Sequence, residues 1–104
     1  MKAVAALLVL AAVTLVPAAA LAANHVVTIE NFEFKPQTLH VKRGDTVEWI
    51  NKDILDHTAT STAPAFDSKA IKPGGKWRWT ASRAGQYPYI CSFHPNMTGV
   101  IEVE

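Results

Sequence analysis

Apolar and polar positions alternate in several short segments after residue 23, the pattern of β-strands that bury one face. The predicted strands contain residues 27–29, 39–41, 47–49, 58–62, 77–79, 86–90 and 100–103. Turn-forming residues separate them at 35–36, 43–45, 72–75 and 83–85. No segment has a comparable helical period. Short strands at this spacing predict an all-β domain built as a sandwich of two sheets.

The first 22 residues have a different pattern. Lys2 is followed by an apolar run over residues 3–16, and small residues end the segment at Ala22. This is the layout of a secretory signal peptide, with cleavage expected after Ala22 and a single domain over residues 23–104. An uncleaved membrane anchor is the alternative, but the run is short and Pro17 interrupts it. The domain is therefore expected to be periplasmic or otherwise exported, without a membrane span.

The charge of the predicted domain is balanced. One of the ten basic residues, Lys2, lies in the leader, which leaves nine basic and nine acidic side chains. Nucleic acids and anionic lipids favour clustered Lys and Arg, so the balance gives no reason to expect either as a partner. We expect a monomer whose partners dock locally on a partly apolar surface.

Cys91 is the only cysteine of the chain. A domain this small usually needs a disulfide, a metal or exceptional packing, and an internal disulfide is excluded. An unpaired thiol in an oxidising compartment is a liability unless something occupies it. A bound metal is the favoured explanation, and a disulfide between two copies of the chain is the alternative.

Three residues with metal-binding side chains follow one another at intervals of three: Cys91, His94 and Met97. Soft sulfur combined with imidazole suits copper, and two histidines, a cysteine and a weak axial methionine are the donors of blue copper sites. His57, at the end of the polar loop 51–56, is the candidate second histidine. Zinc is the alternative metal, but thioether is a poor ligand for it.

Several further motifs surround these residues in a fixed order. They are Phe34-Lys35-Pro36, Leu39-His40-Val41-Lys42, Gly44-Asp45-Thr46-Val47, Trp49-Ile50-Asn51, Gly85-Gln86-Tyr87 and His94-Pro95-x-Met97-x-Gly99. With them the chain resembles the cupredoxin family over nearly all of residues 23–104, and most closely its members with a short Cys-x-x-His-x-x-Met loop. The resemblance implies a cupredoxin-like Greek-key β-sandwich.

The resemblance also implies one type 1 copper ion per chain. His57 and His94 would bind it through Nδ1, Cys91 through a short covalent bond, and Met97 as the distant axial ligand. The implied function is the transfer of single electrons between redox proteins, such as a c-type cytochrome or a dehydrogenase, and not catalysis. Electrons would pass through the edge of His94 within an apolar patch, for which the candidates are Pro64, Phe66, Phe93 and Pro95.

Three other functions are weighed against an electron carrier, the last of them a metal-free β-sandwich binding module. A copper chaperone or storage protein often uses Met-rich or His-rich stretches, and Met97 is the only methionine after the leader. A copper enzyme such as a nitrite reductase needs further histidines for a catalytic copper. His25 and His40 do not form such a set.

The ligand region departs from the short-loop members at two positions. Phe93 replaces the proline that precedes the second histidine, and its N–H is expected to donate to the Cys91 sulfur beside a donor from Thr58. Thr58 replaces an asparagine that ties the two ligand loops together. A threonine hydroxyl is expected to replace that tie only in part.

The remaining histidines and aromatic residues have simpler interpretations. Cleavage after Ala22 would make His25 the third residue, a position from which a free amino terminus can chelate Cu(II), although a frayed terminus is the ordinary expectation. His40 lies in an alternating strand and is expected to face solvent. The aromatic residues of the strands are expected to fill the core and not to relay electrons; they are Trp49, Trp77, Trp79, Tyr87 and Tyr89.

Overall fold

The structure is a computed structural model that describes residues 3–13 and 21–104. Eight strands are present: β1 (Asn24–Glu30), β2 (Glu33–Lys35), β3 (Thr38–Val41), β4 (Thr46–Asn51), β5 (Thr60–Ser61), β6 (Lys76–Thr80), β7 (Gly85–Cys91) and β8 (His94–Val103). The described residues contain no helix. Residues 1–2 and 14–20 of the predicted leader, with Lys2 and Pro17 among them, lie outside the described residues.

Two four-stranded sheets form the domain. One has the order β2-β1-β4-β6 and the other β3-β8-β7-β5. β1 pairs with β4 and β3 pairs with β8 in parallel, whereas the other pairings are antiparallel. Between β1 and β4, and again between β3 and β8, the chain passes through the other sheet. The two strands of each pair therefore run in the same direction. The predicted all-β sandwich is confirmed.

The core lies between the sheets and is rich in aromatic rings. Trp49 and Tyr89 are almost fully buried, with ring centroids 5.5 Å apart and nearly perpendicular planes. Trp77, Trp79 and Tyr87 are half-buried and pack against the same cluster. Rings of this size bury large apolar areas, so they supply much of the hydrophobic stabilisation. The expected core role of these residues is confirmed.

The predicted surface position of Phe66 is wrong. It was expected in a surface patch, but only 8% of it is exposed, and its ring centroid lies 4.7 Å from that of Trp79 and 5.3 Å from that of Trp49. The chain turns back after β5, and the Ser61 N–H donates to the Phe66 carbonyl. This turn points the ring into the core, where burial of a phenylalanine is favourable.

Two elements differ from the sequence pattern. β2 was not predicted; it pairs with β1 through a turn in which Asn31 and Phe32 both have positive φ, 53° and 58°. Such turns usually carry Asn-Gly, so a phenylalanine there gives little signal. The predicted strand 58–62 is shortened to β5, because Thr58 contacts the ligand loop instead of a strand.

No helix among the described residues is long and apolar enough to cross a membrane. Residues 3–13 are exposed and have no regular secondary structure.

Candidate metal centre

The ends of three strands meet at one end of the sandwich. Cys91 is the last residue of β7 and His94 the first of β8, and the two are paired across the intervening two-residue turn. His57 follows the loop after β4 and forms an isolated bridge with Ile71. The strand ends therefore bring together residues that are 34 positions apart in the chain.

Three donor atoms converge there. The Cys91 Sγ lies 3.7 Å from His57 Nδ1 and 3.7 Å from His94 Nδ1, and all three atoms lie within 4.8 Å of one another. Bonds of about 2.0–2.3 Å to a central ion place trigonal nitrogen and sulfur ligands about 3.7 Å apart. The separations thus fit a metal ion bound between the three atoms.

Burial divides the site into an enclosed side and an open side. His57 and Cys91 are fully buried, whereas His94 is partly exposed. Met97, the fourth candidate, is 4% exposed and lies on β8 three residues after His94. His57 Nδ1 lies 3.7 Å from the Cys91 sulfur, a separation that suits a weak hydrogen bond to sulfur and also suits two atoms bound to one metal ion.

Asp53 contacts the candidate ligand His57, and the sequence interpretation missed it. Its Oδ2 lies 2.9 Å from His57 Nε2. A proton on Nε2 that donates to this carboxylate leaves the Nδ1 lone pair free on the side of the sulfur. The available signal was an acidic residue four positions before a candidate ligand histidine, within a loop noted only for its polarity.

Asp53 also fixes the β1–β2 turn. The backbone N–H groups of Asn31 and Phe32 donate to its two oxygens at 2.7 and 2.9 Å. Although burial opposes ionisation, these bonds and the His57 ring hold the pKa of Asp53 below its ordinary value. The carboxylate is therefore charged at neutral pH.

The turn places Phe32 against both candidate ligand histidines. Its ring centroid lies 5.4 Å from that of His57 and 5.1 Å from that of His94, with the planes at 88° and 90°. These edge-to-face contacts are favourable and restrict both imidazole rings. No sequence signal pointed to this contact, because it depends on a turn of unusual composition.

Thr58 connects the two ligand loops more fully than expected. Its N–H donates to the Cys91 Sγ at 3.3 Å, and its hydroxyl accepts a 2.7 Å hydrogen bond from the Ser92 N–H. The Ser92 and Thr58 hydroxyls also lie 3.0 Å apart. The bond expected from the Phe93 N–H to the sulfur is not among those formed by the described residues. Phe93 instead occupies the tight turn between β7 and β8 with its side chain half-exposed.

Exposed apolar side chains lie on the turn and the two loops that carry or contact the candidate ligands. We call Phe32, Ile54, Leu55 and Phe93 the apolar rim; they are between 46% and 89% exposed. Two of them belong to the loop of Asp53, and Phe93 precedes His94 directly. Of the four predicted patch residues, Phe93 belongs to the rim, Pro64 and Pro95 are exposed, and only Phe66 is buried.

The other two histidines of the described chain lie away from this site. His25 Nε2 is 2.9 Å from an Asp45 oxygen, and His40 Nδ1 is 2.8 Å from an oxygen of Glu102. His40 is 67% exposed, as predicted for a surface residue. His25 lies in β1, paired with Val47, so chelation of Cu(II) by the amino-terminal backbone would require this end of β1 to leave the sheet. The structure gives that site no support.

Comparisons with known proteins agree with the fold and identify the family. The family model described as "Cupredoxin-like domain" matches residues 3–103. Amicyanin from Paracoccus denitrificans is 38% identical over 84 residues, which cover 76% of this chain and 64% of the relative. Plastocyanin from Prochlorothrix hollandica is 32% identical over 82 residues, covering 68% and 63%. The chain therefore spans less than two thirds of the length of these curated relatives.

Solved structures give the same result. The reduced state of a proline-to-phenylalanine mutant of amicyanin superposes with a TM-score of 0.74 at 36% identity, covering 78% of this chain and 82% of that one. A Cu-containing nitrite reductase from Thermus scotoductus SA-01 also gives 0.74, at 30% identity, but only 22% of its chain is covered. The expected resemblance to short-loop proteins of the amicyanin type is confirmed, and the chain belongs to the cupredoxin family.

Proposed function

We propose that this protein is a type 1 blue copper protein that carries single electrons between redox partners. The observation that carries the proposal is the convergence of a buried thiol and two imidazole Nδ1 atoms, 3.7 Å from the sulfur, at one end of the sandwich. His57, Cys91 and His94 would hold the ion, and Met97 would supply a fourth, weaker ligand. The bound copper supplies a one-electron couple between Cu(II) and Cu(I).

The protein supplies rigidity and charge compensation around the ligands. The Thr58 N–H points at the Cys91 sulfur and stabilises negative charge on it, and Asp53 fixes the His57 ring. Both groups are attached to strands or short loops of a packed sandwich. Ligands held in this way move little when the charge of the ion changes, which favours rapid electron transfer.

His94 is the proposed route for the electron, because His57 and Cys91 are fully buried and His94 is partly exposed. The apolar rim around it offers a docking surface for partners such as a c-type cytochrome or a dehydrogenase. Desolvation of these side chains would favour docking without large charged patches, in keeping with the balanced charge of residues 23–104. We propose that the protein acts as a monomer.

Export is part of the proposal. The basic start, the apolar run and the small residues before position 23 support a signal peptide over residues 1–22, followed by one domain over 23–104. The periplasm is the compartment that this leader and an unpaired, metal-bound cysteine favour.

A copper chaperone or storage protein is the alternative function. A carrier of the metal itself needs ready exchange, whereas two of the candidate ligands are completely buried here. A copper enzyme is less well supported. Within the described part of the chain, His57, Cys91 and His94 form the one cluster that could hold a metal ion.

The visible absorption spectrum of the purified protein with Cu(II) tests the proposal. An intense band near about 600 nm is expected from a Cys91 thiolate bonded to copper, and it should be abolished in Cys91→Ser. Ser92→Ala is the matched control, since it alters the same loop without removing a donor atom. Copper binding without this band would contradict the type 1 site, and slow self-exchange with rapid copper release would favour the chaperone.

A further inference from the structure

The Asp45 carboxylate, at the opposite side of the domain from the ligand loop, has an unusual set of partners. Its Oδ1 accepts a hydrogen bond from the backbone N of Ala23 at 2.9 Å. Its Oδ2 accepts one from the backbone N of Lys42 at 3.0 Å and lies 2.9 Å from His25 Nε2. The side chain of Asp45 is only 8% exposed. One oxygen of this nearly buried carboxylate thus accepts a hydrogen bond from the first residue of the predicted mature domain.

Hydrogen bonding of the chain to the domain begins at Ala23. Leu21 is 94% exposed and Ala22 is also exposed, and the described hydrogen bonds attach neither residue to the domain. Ala23, in contrast, is held at both ends of its backbone, because its carbonyl also accepts a hydrogen bond from the Thr46 N–H at 3.0 Å. The boundary between unattached and attached chain therefore falls at the Ala22–Ala23 peptide bond.

We propose that hydrolysis of this bond by a signal peptidase creates an α-ammonium group that binds Asp45, so that Asp45 is the receptor for the mature amino terminus. Water supplies a hydroxyl to the carbonyl carbon of Ala22 and a proton to the nitrogen of Ala23, and the new amine takes up a further proton from solvent. The proposal rests on the export that is part of the proposed function.

Cleavage would turn the hydrogen bond from Ala23 to Asp45 into one between two charged groups. In the uncut chain an amide N–H donates to the carboxylate, whereas in the cut chain an ammonium does, and hydrogen bonds between two ionised groups are shorter and stronger. The position is also specific. Cleavage one residue earlier would move the ammonium by about 3.8 Å, beyond hydrogen-bonding distance, and cleavage one residue later would remove the donor and the bond to Thr46.

The other groups around Asp45 leave its Oδ1 free for the ammonium. His25, His40, Lys42 and Glu104 line the same depression in the surface as Asp45. His25 and the Lys42 N–H occupy Oδ2, so the ammonium does not compete with them for Oδ1.

The first test uses the full chain, expressed with its leader in a host that exports proteins. The intact mass and amino-terminal sequence of the purified protein should show that it begins at Ala23. A protein that keeps its leader, or that begins at another residue, overturns the proposal.

The second test measures the amine in that product. An NMR titration should place the pKa of the α-amine above its ordinary range of about 7.7–8.0, and Asp45→Asn should return it to that range. Selective acetylation of the amine, which keeps an N–H donor but removes the charge, should lower the folding equilibrium constant about fivefold. Acetylation should have no such effect in Asp45→Asn, whereas Glu30→Gln, an exposed change in β1, should respond like the original sequence.

The outcomes separate this inference from the copper proposal. An ordinary amine pKa together with no effect of acetylation overturns the role of Asp45, even if the blue absorption band is present. A raised amine pKa in a protein without that band supports the role of Asp45 and contradicts only the copper site. If Asp45→Asn does not fold, the pKa and the acetylation effect in the original sequence still decide the matter.

Discussion

The carboxylate of Asp53 and the imidazole of His57 lie 2.9 Å apart, between Oδ2 and Nε2. Asp53 also accepts the backbone N–H groups that fix Phe32 against both histidine rings. One carboxylate therefore connects a buried ligand, the partly exposed ligand and the apolar rim. Its removal should affect the metal and the surface together.

Asp53→Asn is expected to raise the reduction potential of the copper centre. The carboxylate increases the electron donation of His57 and stabilises Cu(II) more than Cu(I). A tenfold loss of Cu(II) affinity relative to Cu(I) corresponds to a rise of about 59 mV for a one-electron couple. Redox titration checks this, with Asp56→Asn, an exposed neighbour, as the control. Equal potentials in both variants would contradict the role of Asp53.

Thr58→Val is expected to destabilise the metal-free protein by about 1–3 kcal/mol. Valine has nearly the same shape but leaves the Ser92 N–H without its 2.7 Å acceptor beside a buried side chain. Denaturant unfolding measures the loss. Thr80→Val on the exposed face of β6 is the control and should change stability by less than about 0.5 kcal/mol. A similar small change in Thr58→Val would show that the hydroxyl does not hold the loops together.

Gly99→Ala is expected to destabilise the fold by about 1–3 kcal/mol, because a Cβ at this position would lie 2.4 Å from Cζ of Tyr89. The Tyr89 ring cannot yield easily, since it is 1% exposed and packs against Phe34 and Trp49. Thermal unfolding of Gly99→Ala and of Thr98→Ala, an exposed neighbour on β8, provides the comparison. A variant as stable as the control would mean that the ring shifts freely.

The pH dependence of stability should include a contribution from Asp45. The backbone N–H groups of Ala23 and Lys42 and the His25 ring lower the pKa of Asp45 from 3.8 to about 2 in the folded protein. Because the folded value is below the unfolded one, the contribution is present above about pH 4 and is lost as the pH falls toward 2. Urea unfolding between these pH values should give a steeper decline for the original sequence than for Asp45→Asn. Identical slopes would contradict this assignment.

The fold could be predicted from the sequence because strands and turns leave local marks, and the candidate metal loop left a mark of the same kind. Strand periodicity and turn residues indicated the sandwich, and the spacing from Cys91 to Met97 indicated a metal loop. Asp53 and Phe32 left no such mark, because their roles depend on a turn with positive φ meeting a loop some 20 residues later. Phe66 was misplaced for a related reason, since a hydrogen-bonded turn after β5 decides which way its ring points.

The separation of the donors along the chain has a consequence for the order of assembly. Cys91 and His94 are brought together by a tight hairpin, whose contacts are local and cost little loop-closure entropy. His57 joins them only after the two sheets have packed, across 34 positions of sequence. An unfolded chain thus presents an incomplete set of candidate donors, and full affinity for copper requires the closed sandwich. Metal capture then draws the folding equilibrium toward the native state, so that loading acts as the final check on correct folding.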